Sequence, residues 1–347
     1  MTTPIQKILF GSPGTGKSYR IDNEIIPYEL FIDKEETPEN IIKAVFHPEY
    51  THGDFMGKLL PITKEGKVQY NFHEGHFLKA LSQAYKNILE KEIDKCSEVS
   101  NVALVIDEIN RGNSSAIFGP IFQLLDRDSQ GMSDYYINIT EVVFEKLIGL
   151  LGFEPRKTGS KVIGYNFQTK EVKDEYYKLI GFDIFTKSIK IPYNLSIIAT
   201  MNTSESSIYY MDSAFKRRWE WEFIDVDSNP IKEDGIAFSN KEDWVKFIEK
   251  LNNFIKSNHK YIRGIEDKQI GHWFIKDAMN EDAKVEVKKA TIQNKLMFFI
   301  WDNVFSRDKK PLIELFYGKE QKDQEPLVTF GDFAKKVNDF IEKIKSL

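Results

Sequence analysis

Cysteine is nearly missing from this chain: among 347 residues there is one, Cys96. An intrachain disulfide and a cysteine zinc cluster are therefore excluded, which fits a reducing compartment and a cytoplasmic location. Long apolar runs are missing too. None approaches the ~20 residues that a membrane span needs, and the opening MTTPIQKILF lacks the basic-then-apolar layout of a secretory signal. No membrane partner is expected. Positive charge is not in excess: 48 Lys and Arg against 53 Asp and Glu leave a net charge of −5. Such a chain does not coat a polyanion, so nucleic-acid contact would have to be local or reached through assembly. Internal repeats, low-complexity tracts and a G-x-S-x-G nucleophile signature are likewise missing. His73-Glu-Gly-His76 falls one residue short of the H-E-x-x-H spacing that sets two imidazoles on one helical face, so no zinc site is expected there. His47 and His52, flanking Tyr50, read as packed or exposed side chains.

What is present suits a folded, core-forming protein. Hydrophobic residues make up 41% and charged residues 29%, with 26 Phe and 15 Tyr, so a sizeable core is affordable. The length suggests two domains, or one large domain with a satellite.

Near the start, Ile5 to Phe10 is an apolar run with the character of a buried strand. Gly11-Ser12-Pro13-Gly14-Thr15-Gly16-Lys17-Ser18 follows, then Tyr19. This matches G-x-x-x-x-G-K-[ST] in full. Glycines let backbone N–H groups converge on phosphate oxygens, and a following helix presents its positive N-terminus. Lys17 would neutralise the terminal phosphates and the Ser18 hydroxyl would ligate Mg²⁺.

A second apolar run, NVALVIDE from Asn101 to Glu108, ends in two carboxylates. A strand beside the first would deliver Asp107 to the Mg²⁺ shell. Glu108, one residue on, could polarise an attacking water as general base. Taken alone, the same run could be a core strand with a solvated acidic end. A third strand, Leu195 to Met201, is introduced by Pro192 and ends at Asn202. That amide could touch the terminal phosphate or the lytic water, or simply open the turn-like NTSESS segment. In SIYYMDSAFKRR, Ile208, Met211, Ala214 and Phe215 follow helical spacing, predicting a helix over 207–218. Lys216, Arg217 and Arg218 then fall in its last turn. There they either complement the helix dipole or offer an arginine finger to a neighbouring subunit. Trp219 to Ile224 alternates apolar and acidic residues, which predicts a half-exposed strand.

The set FGSPGTGKS, LVIDEINRG, IATMNTSES and DSAFKRRWEW resembles an AAA+ NTPase. More narrowly it is similar to the McrB-like branch, motor subunits of modification-dependent restriction systems. FHPEYTHGDFMG (46–57) and IGHWFI (270–275) resemble further blocks of that branch. The resemblance implies an α/β, P-loop AAA+ parallel sheet flanked by helices, with a C-terminal helical lid domain. It implies that residues 11–19 hold ATP or GTP, that Ser18 and Asp107 carry Mg²⁺, and that Glu108 and Asn202 serve hydrolysis. Arg217 or Arg218 would act in trans, which implies a ring, a hexamer. An arginine common near the lid block is replaced by His272, with Arg263 upstream, leaving two candidates for a second sensor. No N-K-x-D element chooses between the purines. The N-terminal module that reads modified DNA in better-known members has no room before Ile5 and is not expected.

The layout expected is an α/β domain over 1–226, a turn-rich spacer over 228–243 and a helical lid over 244–347. The lid shows an amphipathic stripe of Phe333, Val337, Phe340, Ile341 and Ile344. The connection 129–190 is long. It contains a helical pattern of Val142, Val143, Leu147, Leu150 and Leu151, then Arg156, Lys157 and Lys161. It reads either as a structural insert or as an element contacting a partner or nucleic acid. The function expected is a ring motor of a restriction or anti-phage complex, with an McrC-like nuclease subunit as partner and DNA met through the complex. A MoxR-like ATPase remodelling protein clients is the alternative, and a nucleotide-binding scaffold with little turnover a third reading.

Overall fold

The computed structural model describes residues 3–64, 66–94, 98–203, 209, 211–275, 278–279, 285–318 and 327–347. Cys96 and residues 207, 208 and 210 of the expected 207–218 helix lie outside them. Contacts divide the chain into two compact units. One comprises Met1–Leu9 and Gly16–Trp219, the other Phe10–Thr15 and Glu220–Leu347. The division thus falls at Trp219/Glu220, ahead of the expected 228–243 spacer, and the first half of the glycine loop groups with the C-terminal unit.

The first unit is built on a sheet with neighbouring strands in the order Gln6–Gly11, Leu195–Asn202, Val102–Asp107, Ile41–Val45. Val102–Asp107 runs parallel to both its neighbours. Leu195 to Ala199 lie opposite Val102 to Ile106 on one side, and Ile41 to Val45 lie opposite Ala103 to Asp107 on the other. Every residue of Leu195–Asn202 is buried. Strands covered on both faces read as continuous apolar runs rather than alternating ones, which is why Gln6–Gly11, Val102–Asp107 and Leu195–Asn202 were legible in the sequence, whereas Ile41–Val45, buried only at Ala44, was not foreseen. The helix His76–Asp94 buries Phe77, Leu78, Leu81, Tyr85, Ile88 and Leu89 at helical spacing. No helix among the described residues is long and apolar enough to cross a membrane.

Two parts of this unit elaborate the sheet. A β-hairpin, Gly57–Lys64 paired with Lys67–Glu74, follows the short helix His52–Met56; it was not foreseen from the sequence. The long connection holds its own α/β insert. Helix Glu141–Leu151 is capped by the Thr140 hydroxyl at one end and by left-handed Gly152 at the other. The antiparallel strands Glu154–Thr158, Lys161–Phe167 and Lys170–Glu171 follow, then helix Asp174–Ile180. Phe153, Tyr165, Phe167 and Tyr177 form its core. The helical stripe differs from the expected one: Val143, Phe144, Leu147, Ile148 and Leu151 are buried, whereas Val142 is 42% exposed. The expectation missed that Phe144 and Ile148 complete the 3.6-residue period.

In the second unit the strand Glu220–Phe223 is more buried than its alternating sequence suggested. Only Glu220 is exposed, and Trp221, Glu222 and Phe223 are buried. The reason is tertiary: Phe10, Trp221, Phe223, Phe298 and Phe330 share one aromatic cluster. The Ile224 N–H donates to the Phe10 carbonyl at 2.8 Å. The spacer contains a short strand, Ile236–Phe238, paired antiparallel with Val287–Lys288. Helices then dominate. Lys241–Ser257 starts at Asn240, whose side chain caps the Asp243 N–H. Lys310–Tyr317, Phe330–Ala334 and Val337–Ser346 follow, with π-type turns over Ile292–Met297 and Ile300–Val304. The expected stripe from Phe333 to Ile344 is buried, though shared between the last two helices.

Candidate nucleotide site

The glycine loop begins where the strand Gln6–Gly11 ends. Gly11 has φ of 155°, and a Cβ there would sit 2.3 Å from the Ile224 carbonyl oxygen, so no larger residue fits. Inside the loop the Thr15 hydroxyl donates to the Ser12 carbonyl at 3.1 Å. Gly16, left-handed at φ 81°, is the N-cap of the helix that opens at Lys17. That helix continues through Ile21–Glu29 with π-type bonding. Lys17 is buried, Ser18 exposed, and Tyr19 is 68% exposed. Pro13 and Gly14 at the loop's crest are exposed.

The two acids sit at the tip of Val102–Asp107. Asp107 Oδ1 accepts two hydroxyls, Ser18 Oγ at 3.2 Å and Thr200 Oγ1 at 3.0 Å. The chain then turns, with Glu108 at φ 57°. A left-handed non-glycine residue costs on the order of 1–3 kcal/mol and persists only where its surroundings enforce it. A set of hydrogen bonds holds this turn. The Glu108 N–H donates to Thr200 Oγ1 at 3.1 Å, and Asn202 Nδ2 donates to Glu108 Oε1 at 2.6 Å. Next, the Ile109 N–H reaches the Thr200 carbonyl at 3.0 Å, and Asn110 Nδ2 reaches the Asn202 carbonyl at 2.8 Å. Ser18, Asp107, Glu108 and Asn202, expected together from the sequence, are therefore brought together.

The two arginines part company. Arg217 is exposed. Arg218 lies inside the first unit, with Nη2 2.6 Å from Asp126 Oδ2 and Nε at 2.8 Å from the same oxygen. Its Nη1 donates to the Ala214 carbonyl at 2.8 Å, and its guanidinium lies 3.9 Å above the Phe122 ring. Below it, Gln6 Nε2 donates to the Arg218 and Leu125 carbonyls. The half-buried Arg127 guanidinium holds the Pro192 and Leu195 carbonyls at the start of the third strand. In the second unit Arg263 is exposed and His272 half-buried, the latter with its carbonyl accepting from Trp244 Nε1 at 2.8 Å.

Two histidines, His52 of the FHPEYTH block and His76 beyond it, are structural in their contacts. His52 Nδ1 lies 2.8 Å from the Ile117 carbonyl, and His76 Nδ1 lies 2.7 Å from the Tyr50 hydroxyl. A cavity of about 400 Å³ is lined by His47, Tyr50, Asp54, Lys58, His73 and His76. Burial alone would raise the Asp54 pKa, but hydrogen bonds from Lys58 and Thr51 bring it down to about 2. Among the described residues no group of three His, Cys, Asp or Glu could hold a metal ion.

Sequence reasoning passed over Thr200. The signal was available: side chains two apart on a strand share a face, so Thr200 faces the same way as Asn202. Asp126 and Phe122, which hold Arg218, left no local signal.

Over 329 residues, 88% of this chain and 80% of the relative, the chain is 29% identical to the type II restriction enzyme BsuMI component YdiS of Bacillus subtilis (strain 168). Over 220 residues it is 24% identical to the type IV methyl-directed restriction enzyme EcoKMcrB subunit of Escherichia coli (strain K12). The chain is thus similar to McrB-like AAA+ proteins. The second alignment takes in 63% of this chain but 35% of the E. coli subunit. No family model matches the chain. A solved structure from Cytophaga hutchinsonii ATCC 33406 covers 98% of this chain and 84% of its own, at 13% identity. The TM-score between the two is 0.31.

Proposed function

We propose that this McrB-like protein is a Mg²⁺-dependent nucleoside triphosphatase and the motor subunit of an McrBC-like restriction or anti-phage complex. The observation that carries the reading is the acid pair. Asp107 is joined to the Ser18 hydroxyl beside the loop lysine, and Glu108 is held left-handed with its carboxylate on the Asn202 amide. The restriction relatives support the setting.

A hydroxyl and a carboxylate form the all-oxygen donor set that suits magnesium, so Ser18 and Asp107 would hold it. When bound, the ion offsets the charge of the phosphates. The loop of residues 11–19 binds the triphosphate through backbone N–H groups and Lys17. Glu108 takes a proton from the attacking water, and Asn202 fixes which oxygen of Glu108 faces it. Arg217, exposed where Arg218 is held internally, is the residue offered to the neighbouring protomer of a hexameric ring. DNA and an McrC-like nuclease subunit are met through that complex. Both ATP and GTP remain candidate substrates.

The test is phosphate release from ATP and from GTP by the purified chain, with and without Mg²⁺, a cognate nuclease subunit and DNA. Turnover that needs magnesium and rises with nuclease partner and DNA is expected. Turnover raised by a protein client with no effect of DNA would replace this reading with a remodelling ATPase. Tight binding without turnover would leave a scaffold, and neither binding nor cleavage would remove the nucleotide site altogether.

A further inference from the structure

The acid pair depends on a residue that is neither acid nor sensor. Thr200 is 3% exposed. The parallel register between its strand and the acidic strand closes with Ala199 opposite Ile106. One residue on, the Thr200 side chain takes over. A hydroxyl carries one proton and two acceptor sites, and here the direction of each bond is set by its partner. The carboxylate can only accept, so Thr200 Oγ1 donates to Asp107 Oδ1 at 3.0 Å. The amide can only donate, so the same oxygen accepts from the Glu108 N–H at 3.1 Å. The Thr200 carbonyl meanwhile accepts the Ile109 N–H at 3.0 Å. One residue thereby brackets the left-handed turn at Glu108 on both sides.

We propose that Thr200 is the positioning residue of the acid pair. Its buried hydroxyl orients the Asp107 carboxylate and holds the Glu108 backbone left-handed, so that the two acids keep one fixed relation. This rests on the proposed roles of Asp107 and Glu108 in hydrolysis. Threonine suits the task better than serine because its β-branch restricts χ1 and keeps the hydroxyl on one heading. Valine keeps the shape and removes both bonds, leaving the Glu108 N–H without its acceptor.

The experiment compares the full chain with Thr200→Val and Thr200→Ser, by steady-state hydrolysis across Mg²⁺ concentrations, nucleotide binding and thermal unfolding. A wild-type chain that hydrolyses neither ATP nor GTP sinks the proposed function and leaves Thr200 without a reaction to serve. With an active wild type, Thr200→Val should bind nucleotide almost as well while kcat drops on the order of 100-fold, the scale of a small misplacement of a reacting group. Half-maximal turnover should also need more Mg²⁺. Thr200→Ser should recover most of kcat. Because Thr200 acts through Glu108, adding Thr200→Val to Glu108→Gln should cost little more than Glu108→Gln alone. Wild-type kcat in the valine variant overturns the proposal, as does an additive double variant. Should the valine variant fail to fold, the serine variant decides by itself: reduced kcat at unchanged affinity supports the role, and lost affinity at unchanged kcat overturns it.

Discussion

Arg218 Nη2 stands 2.6 Å from Asp126 Oδ2 in a pair whose side chains are 9% and 17% exposed. This bond ties the arginine to its own subunit, while Arg217, adjacent in sequence, is exposed. Removing one partner of a largely buried pair strands the other charge. Arg218→Ala and Asp126→Ala should therefore lower stability by roughly 3 kcal/mol, read in chemical denaturation. Arg217→Ala should reduce turnover while nucleotide still binds. Mixing Arg217→Ala with Glu108→Gln protomers should restore part of the activity, since some interfaces then combine an intact finger with an intact acid. Mixtures as inactive as the separate variants would take Arg217 out of the trans role.

The Asn202 amide and Glu108 Oε1 are 2.6 Å apart. Glu108→Gln keeps the shape but cannot take a proton, so nucleotide should still bind while turnover falls on the order of 10²–10⁴-fold. Asn202→Ala should lower kcat more than it raises KM. Unchanged steady-state turnover in Glu108→Gln would remove Glu108 from the chemistry.

Ser18 and Asp107 share one hydrogen bond at 3.2 Å and should share one ion. Chelating Mg²⁺ should stop turnover reversibly. Ser18→Ala and Asp107→Asn should each raise the Mg²⁺ concentration needed for half-maximal rate. A Mg²⁺ titration of hydrolysis that superimposes on wild type in both variants would dissociate these residues from the metal.

Gly11→Ala would place a Cβ 2.3 Å from the Ile224 carbonyl oxygen, closer than any contact tolerates. The contact lies in backbone on both sides, so it cannot be relieved by rotating a side chain. A stability loss on the order of 1–3 kcal/mol, typical of overpacking, should accompany loss of nucleotide binding. Wild-type melting and wild-type affinity together would show that the loop is not seated as described.

The chain's linear order was enough for three buried strands, the glycine loop, the acid pair and the amphipathic helices of the C-terminal unit. Each of those is written in local period or spacing: a strand covered on both faces must be apolar throughout, and a phosphate loop needs its glycines at set intervals. The Gly57–Glu74 hairpin escaped because most of its residues are exposed, leaving no clean alternation between core and solvent. The burial of Glu220–Phe223 escaped for the opposite reason, since its cover comes from Phe298 and Phe330, far along the chain. Two decisions belonged to tertiary structure only. Sequence left Arg217 and Arg218 equivalent, and the Asp126 carboxylate, 92 positions away from Arg218, separates them. Sequence marked the two acids, but their relation is held by Thr200 from a neighbouring strand. Side-chain type and period are local properties of a chain, whereas which carboxylate meets which cation or hydroxyl is settled only when distant segments pack.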